Sequence, residues 1–384
     1  MKSNNEIINI DHNVLIWARK RLNLDINEVA HRIKKKPSII TNWENGKSKP
    51  SLSQLETLAY DVYKVPLATF FLPEPPDEPP INQQFRTIPD SEITRLPYKF
   101  MLLVKEAQFY QEALKELFDG RNPVDKPIFK SITNLRGGSI QNAATLVRER
   151  LTINKEKQSK FKDSTEAFKY YRNILEVNGV FVFQQTLKNY CRGYSLFDTE
   201  FPIIIVNSSE TTDTGKNFTL FHELSHLLYS MGGISNEYTY QSTNQIEISC
   251  NKIASLILVN NNELVQELKE YDIDLNDIKD NQLQLLANKF KVSQEVILRK
   301  LLDLNMASQS YYSEKRKQWL ASVPKARKSK GGDHYNIKLS KLGHYYSSLV
   351  LKNMYSGKIS RYQASEFLST KINHIPKLEK LIFR

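Results

Sequence analysis

The sequence predicts a multidomain chain: an all-α domain, then an α+β domain with a small sheet, then a small, mainly helical C-terminal module. Three observations carry that reading. Short apolar repeats at helical spacing fill residues 10–72. Two β-branched and aromatic runs, Val180-Phe181-Val182-Phe183 and Pro202-Ile203-Ile204-Ile205-Val206-Asn207, precede a long helical pattern at 218–229. Between these regions lies Pro73-Glu74-Pro75-Pro76-Asp77-Glu78-Pro79-Pro80, an extended, semi-rigid spacer. The boundaries that follow are 1–72 for the first domain, 73–96 for the linker, 97–310 for the α+β domain and 311–384 for the basic helical module.

Composition narrows the class. The chain has 384 residues, enough for two or three domains, and 40% of them are apolar, enough for real cores. No run of 18 apolar residues exists, so no membrane span is expected. The polar start, Met1-Lys2-Ser3-Asn4-Asn5-Glu6, lacks the apolar core of a secretion signal. Cys191 and Cys250 make neither a disulfide framework nor a zinc-finger spacing, which fits reduced thiols in a cytoplasmic protein. Residues 311–384 hold 16 Lys+Arg against 4 Asp+Glu, so the net charge of +12 resides there and the rest is balanced. Such a tail attracts polyanions, or serves as a solvated face.

In order along the chain, the first helix covers Val14 to Arg21. The second runs Ile26 to Ile33, with Asp25 as its cap. A third starts near Pro37, acceptable in a first turn, and stops at Asn45-Gly46. A fourth follows Ser51, through Leu52, Leu55, Leu58 and Ala59. Short helices with basic residues before the third suggest a helix-turn-helix reader of double-stranded DNA within residues 10–72. Beyond the linker, helices are expected at Met101–Phe118, Ala143–Leu151 and Ala167–Leu175, then the two strands. After 262 the pattern is helical at Leu264–Leu268, Leu283–Phe290 and Val292–Leu302. Tyr311 to Lys330 is basic and polar, Gly331-Gly332 breaks it, and Leu339 to Phe383 reads as the last module.

The chemistry is concentrated in Phe218-Thr219-Leu220-Phe221-His222-Glu223-Leu224-Ser225-His226-Leu227-Leu228. Positions four apart share a helix face, so His222 and His226 can aim two imidazoles at one point, half of a zinc site. Glu223 need not bind the ion and is free to take a proton from water there. A third ligand is expected on a following helix. Glu247 fits, at the edge of a strongly apolar face formed by Ile246, Cys250, Ile253, Ala254, Ile257 and Leu258. A carboxylate there is costly to bury without a partner. Asn251, one turn on, is placed to hold a ligating histidine. The bland alternative is two accidental histidines beside a surface glutamate.

The N-terminal pattern resembles the phage-repressor type of helix-turn-helix, through Val29-Ala30 and Trp43-Glu44-Asn45-Gly46-Lys47-Ser48-Lys49-Pro50-Ser51. The resemblance implies a recognition helix at 37–45, with Lys36, Ser38, Thr41 and Asn42 facing the major groove. Lys34-Lys35 depart from it, since a glycine and a small apolar residue are usual there. The alternative for this domain is a dimerisation or docking module that does not bind DNA. The run from about 166 to 260, with Arg192-Gly193-Tyr194-Ser195, the strand at 202–207, the His-Glu-x-x-His helix and Cys250-Asn251-Lys252-Ile253-Ala254, resembles the ImmA/IrrE family of zinc metallopeptidases. Phe70-Phe71-Leu72-Pro73-Glu74-Pro75-Pro76 repeats a segment that follows the helix-turn-helix in many members.

The expectation is therefore a gluzincin-type zinc endopeptidase with Zn²⁺ held by His222, His226 and Glu247, and Glu223 as the base. Tyr190, Arg192 and Tyr194 are the candidates for stabilising the oxyanion. The strand at 202–207 is expected to accept substrate as an added strand. The resemblance implies cleavage of a repressor-like protein or neighbouring-gene product, with regulation of transcription. The alternative is a non-proteolytic DNA-binding regulator or antitoxin that holds a partner toxin, with zinc structural or vestigial. A homodimer is a further expectation, since repressor-type readers are often dimers.

Overall fold

The computed structural model describes residues 10–78, 85, 93, 95–132, 138–210, 212–235, 245–275, 278–322 and 333–383. The chain divides into two compact units, Met1–Glu106 and Ala107–Arg384. Most of the linker expected at 73–96, and the break at Gly331-Gly332, lie outside the described residues.

In the first unit, helices span His12–Lys20, Ile26–Arg32, Pro37–Glu44 and Leu52–Glu56. The last continues as a π-helical stretch, Thr57–Tyr63. Asp25 closes a capping box with Glu28: the Glu28 amide donates to Asp25 Oδ1 at 2.8 Å, and the Asp25 amide donates to Glu28 Oε2 at 3.0 Å. The core joins Val14, Leu15, Ala18, Val29, Ala30, Ile40, Trp43, Leu55 and Leu58. Arg19 ties the first helix to the third through a forked pair with Glu44, at 2.7 and 2.8 Å. Lys34, where glycine is usual, adopts φ +54°. The turn between the second and third helices thus keeps its left-handed residue and tolerates a side chain there. Glu78, from the described end of the proline-rich run, pairs with Arg21 and Lys105 at 3.1 and 2.6 Å.

The second unit is built on a four-stranded sheet of order β1-β3-β2-β4, with β1 Phe181–Gln185, β2 Gly193–Leu196, β3 Ile203–Asn207 and β4 Ile234–Ser235. β3 pairs in parallel with β1 and antiparallel with β2. It is therefore central. Both its edges are occupied, so the strand at 202–207 cannot accept an added strand, contrary to expectation.

The pleat sorts side chains to two faces. Val182, Ile204 and Val206 pack with Leu220, Phe221 and Leu224 of the helix Asp213–Leu228, which carries the His-Glu-x-x-His motif. Phe183 faces the other way. It stacks on Tyr110 with centroids 4.6 Å apart, and its other neighbour is Tyr346 at 5.1 Å. Tyr346 belongs to the helix His344–Tyr355, so the C-terminal residues cover the second face of the sheet. Arg172 secures them. It donates to the carbonyls of Ser340 at 2.7 Å and of Val182, and pairs with buried Glu176 at 3.2 Å.

Burial pushes the Glu176 carboxyl up to about 7, against the pull of Arg172. Its folded pKa exceeds the usual 4.5, so its contribution to stability is full below that value and is lost as pH climbs through about 7. We predict that Glu176→Gln flattens this slope, by on the order of a few kcal/mol. Urea midpoints at mildly acid and mildly alkaline pH read the effect.

Helices expected at 264–268, 283–290 and 292–302 appear as Asn261–Glu270, Asp280–Phe290 and Gln294–Asp303. One further helix, Gln309–Ser322, forms within the basic polar run. Among the described residues no helix is long and apolar enough to cross a membrane.

Candidate metal centre

The motif helix starts at Thr212, whose hydroxyl accepts from the Gly215 amide at 3.3 Å. It ends where Ser230 takes φ +57° and the Met231 amide returns to the His226 carbonyl at 3.1 Å. From Asn217 to Leu228 every residue is buried, so this helix runs through the core with its polar motif enclosed. Groups so placed need partners.

His222 and His226 are 1% and 0% exposed, and Glu247, from the helix Gln245–Leu258, is 6% exposed. The two Nε2 atoms are 3.0 Å apart. Glu247 Oε2 lies 3.3 Å from His222 Nε2, and Oε1 lies 3.3 Å from His226 Nε2. Three ligands at 2.0–2.1 Å around a tetrahedral ion are separated by about 3.3 Å. The group thus has the size of a three-ligand metal site. Its chemistry agrees, because Glu247 Oε2 is buried without a hydrogen-bond donor. Burial alone pushes the Glu247 carboxyl up, but the neighbouring imidazoles overcome it and hold it well below the usual range. Among the described residues this is the one His/Cys/Asp/Glu group compact enough to hold a metal ion.

Both imidazoles have a neighbour behind them. His222 Nδ1 is 2.9 Å from Asn251 Oδ1. An amide oxygen only accepts, so Nδ1 carries the proton and Nε2 presents its lone pair to the ion. His226 Nδ1 lies 3.6 Å from Cys250 Sγ. Gly233 lies flat on the His226 ring: a Cβ there would come within 2.6 Å of ring Cγ and Nε2. We predict that Gly233→Ala displaces the ring and weakens metal binding about tenfold or more, measured by competition with a chromophoric chelator.

Glu223 is fully buried. Ser195 Oγ donates to its Oε2 at 2.8 Å and accepts from the Gly233 amide at 3.2 Å. Strand alternation accounts for this arrangement: Ser195 faces the motif helix, so Tyr194 faces the opposite side of the sheet. The Tyr194 hydroxyl donates to Gln185 Oε1 at 2.7 Å, which removes Tyr194 from the oxyanion candidates. Arg192 pairs loosely with Glu210, at 3.9 Å, and Tyr190 is half-buried. Sequence reasoning placed Cys250 on the core face of its helix but missed its closeness to His226, and it missed the parts played by Ser195 and Gly233.

On the helix-turn-helix unit, Lys36, Ser38 and Asn42 are exposed along the helix Pro37–Glu44. Thr41 is half-buried, with its hydroxyl donating to the Pro37 carbonyl at 3.1 Å.

Comparison with known families agrees with these features. Residues 175–302 match the family described as IrrE N-terminal-like domain, and residues 15–68 match the one described as Helix-turn-helix. No curated protein matches the chain. The two matches fall in the order the sequence resemblance implies, the helix-turn-helix before the IrrE N-terminal-like domain.

Proposed function

We propose that this helix-turn-helix protein with an IrrE N-terminal-like domain is a zinc-dependent endopeptidase that regulates transcription by cleaving a partner protein, repressor-like or encoded beside it. The observation that carries the reading is the convergence of His222, His226 and Glu247 beside a buried carboxylate that none of them needs. A purely structural metal site has no use for Glu223.

His222, His226 and Glu247 would hold Zn²⁺, which supplies an acidified water and polarises a carbonyl. Glu223 takes the proton of the attacking water and returns it to the leaving amine. Ser195 orients Glu223 by donating to its Oε2. Asn251 fixes the tautomer of His222. Enclosure of these groups keeps the local dielectric low, which strengthens each electrostatic contact. With Tyr194 removed, Arg192 and Tyr190 remain the donors proposed for the oxyanion. The outer edge of β4, next to Gly233, is where an extended substrate would pair.

The helix-turn-helix brings the chain to DNA, with Lys36, Ser38, Thr41 and Asn42 as the proposed reading surface. Affinity for duplex DNA is expected to fall steeply as salt rises. Lys36→Ala weakens binding to all sequences, whereas Asn42→Ala costs specificity. Electrophoretic shifts of the full chain across a salt series read both.

The test of proteolysis is incubation of the zinc-loaded chain with the product of the adjacent gene, followed by intact mass. New fragments with wild type and none with Glu223→Gln support the proposal. Equal regulation in cells by both forms would instead favour the non-proteolytic antitoxin reading.

A further inference from the structure

Apart from the metal group, a cavity of about 290 Å³ has walls from the helices Ile140–Arg150, Gln245–Leu258 and Gln294–Asp303, beside the start of Asn261–Glu270. Lys300 lines it and is only 4% exposed. Its ammonium has no hydrogen bond or ion pair among the described residues, although buried lysines are ordinarily paired. Burial pushes this ammonium down to about 8, so at neutral pH most molecules still carry the charge. Asn261 also lines the cavity, and its Oδ1 is buried with no donor.

Two polar groups of opposite demand thus share one small space. Lys300 feels the Asp303 carboxylate but forms no ion pair with it, and Asn261 Oδ1 lacks an N–H. The Asp303 carboxylate, paired with Arg299 at 3.3 Å, adds negative charge to the lining. Ile140, Leu256 and Leu304 supply an aliphatic wall. The volume lies at the small end of the range for small-molecule sites.

We infer that this cavity binds a free amino acid with an aliphatic side chain, its carboxylate on Lys300, its ammonium towards Asn261 and Asp303, and its side chain on Ile140, Leu256 and Leu304. An anion alone would leave Asn261 Oδ1 unsatisfied, and an amine alone would leave Lys300 so. The site also has a position suited to control. Ser255 and Leu256, in its lining, lie on the same helix as Glu247 and Asn251. Occupancy therefore bears on the helix that supplies the carboxylate ligand of the metal group. The assignment of the cavity does not depend on hydrolysis.

The test is isothermal titration of the full-length chain with L-leucine, with 4-methylpentanoate and with isoamylamine. The last two each keep one of its charges. Saturable heat is expected for leucine, with each single-charge analogue about tenfold weaker or more. Lys300→Met, which keeps the stem and removes the charge, is expected to weaken leucine binding about tenfold or more. Circular dichroism checks that it folds, and Asn261→Ala reads the same site should it not. No saturable heat with leucine, or binding unchanged in both variants, overturns the inference. Equal affinity for leucine and 4-methylpentanoate overturns the zwitterion.

Discussion

Glu223→Gln lowers the rate of peptide hydrolysis about 10²- to 10⁴-fold while leaving the metal content unchanged. The split between the two readouts follows from the geometry. Glu223 is not among the three groups that converge, so removing its charge takes nothing from the ion. What it takes is the acceptor for the water proton. The amide of glutamine retains the shape of the side chain and can still accept from Ser195 through its carbonyl oxygen, so the fold has little reason to change. Steady-state rates with a cleaved partner, beside metal analysis of both proteins, check this. A variant that loses metal together with activity would make Glu223 a ligand or a support, and the proposed division of roles would be wrong.

His226→Ala is the second large effect. It takes one of three ligands from a fully buried group, and zinc content is expected to fall from about one per chain to near zero. It also leaves Glu247 with one imidazole instead of two, and leaves a space under Gly233. Thermal stability should therefore fall below that of the metal-free wild type as well, because a cavity costs packing regardless of the ion. Equal zinc in variant and wild type would remove His226 from the ligand set.

The convergence of His222, His226 and Glu247 was legible in the sequence because it depends on local rules. Spacing of four on a helix brings His222 and His226 together, and an acidic residue at the edge of an apolar helix marks Glu247. Asn251 followed from the same periodicity. What remained hidden depended on pairing between distant segments. β2 spans only Gly193–Leu196 and has no apolar run, so nothing in the sequence identified it as the strand that braces Glu223. Tyr194 attracted attention by its chemistry, but the pleat turns it to the far face. β3 looked like a free strand because its two neighbours lie at different distances along the chain. The helix Gln309–Ser322 has no apolar stripe to betray it. Ion pairs help hold it, Lys315 with Asp280 at 2.6 Å and Arg316 with Glu295 at 3.2 Å. At Lys34 the departure from the usual glycine turned out to be a change of residue without a change of backbone.

Zinc-edge X-ray absorption of the purified, stoichiometrically loaded chain tests the metal centre most directly. Two imidazole nitrogens and a carboxylate oxygen at about 2.0–2.2 Å are predicted, with no sulfur near 2.3 Å. A sulfur shell, which would bring Cys250 into coordination, or a spectrum unchanged by Glu247→Ala, would contradict the account.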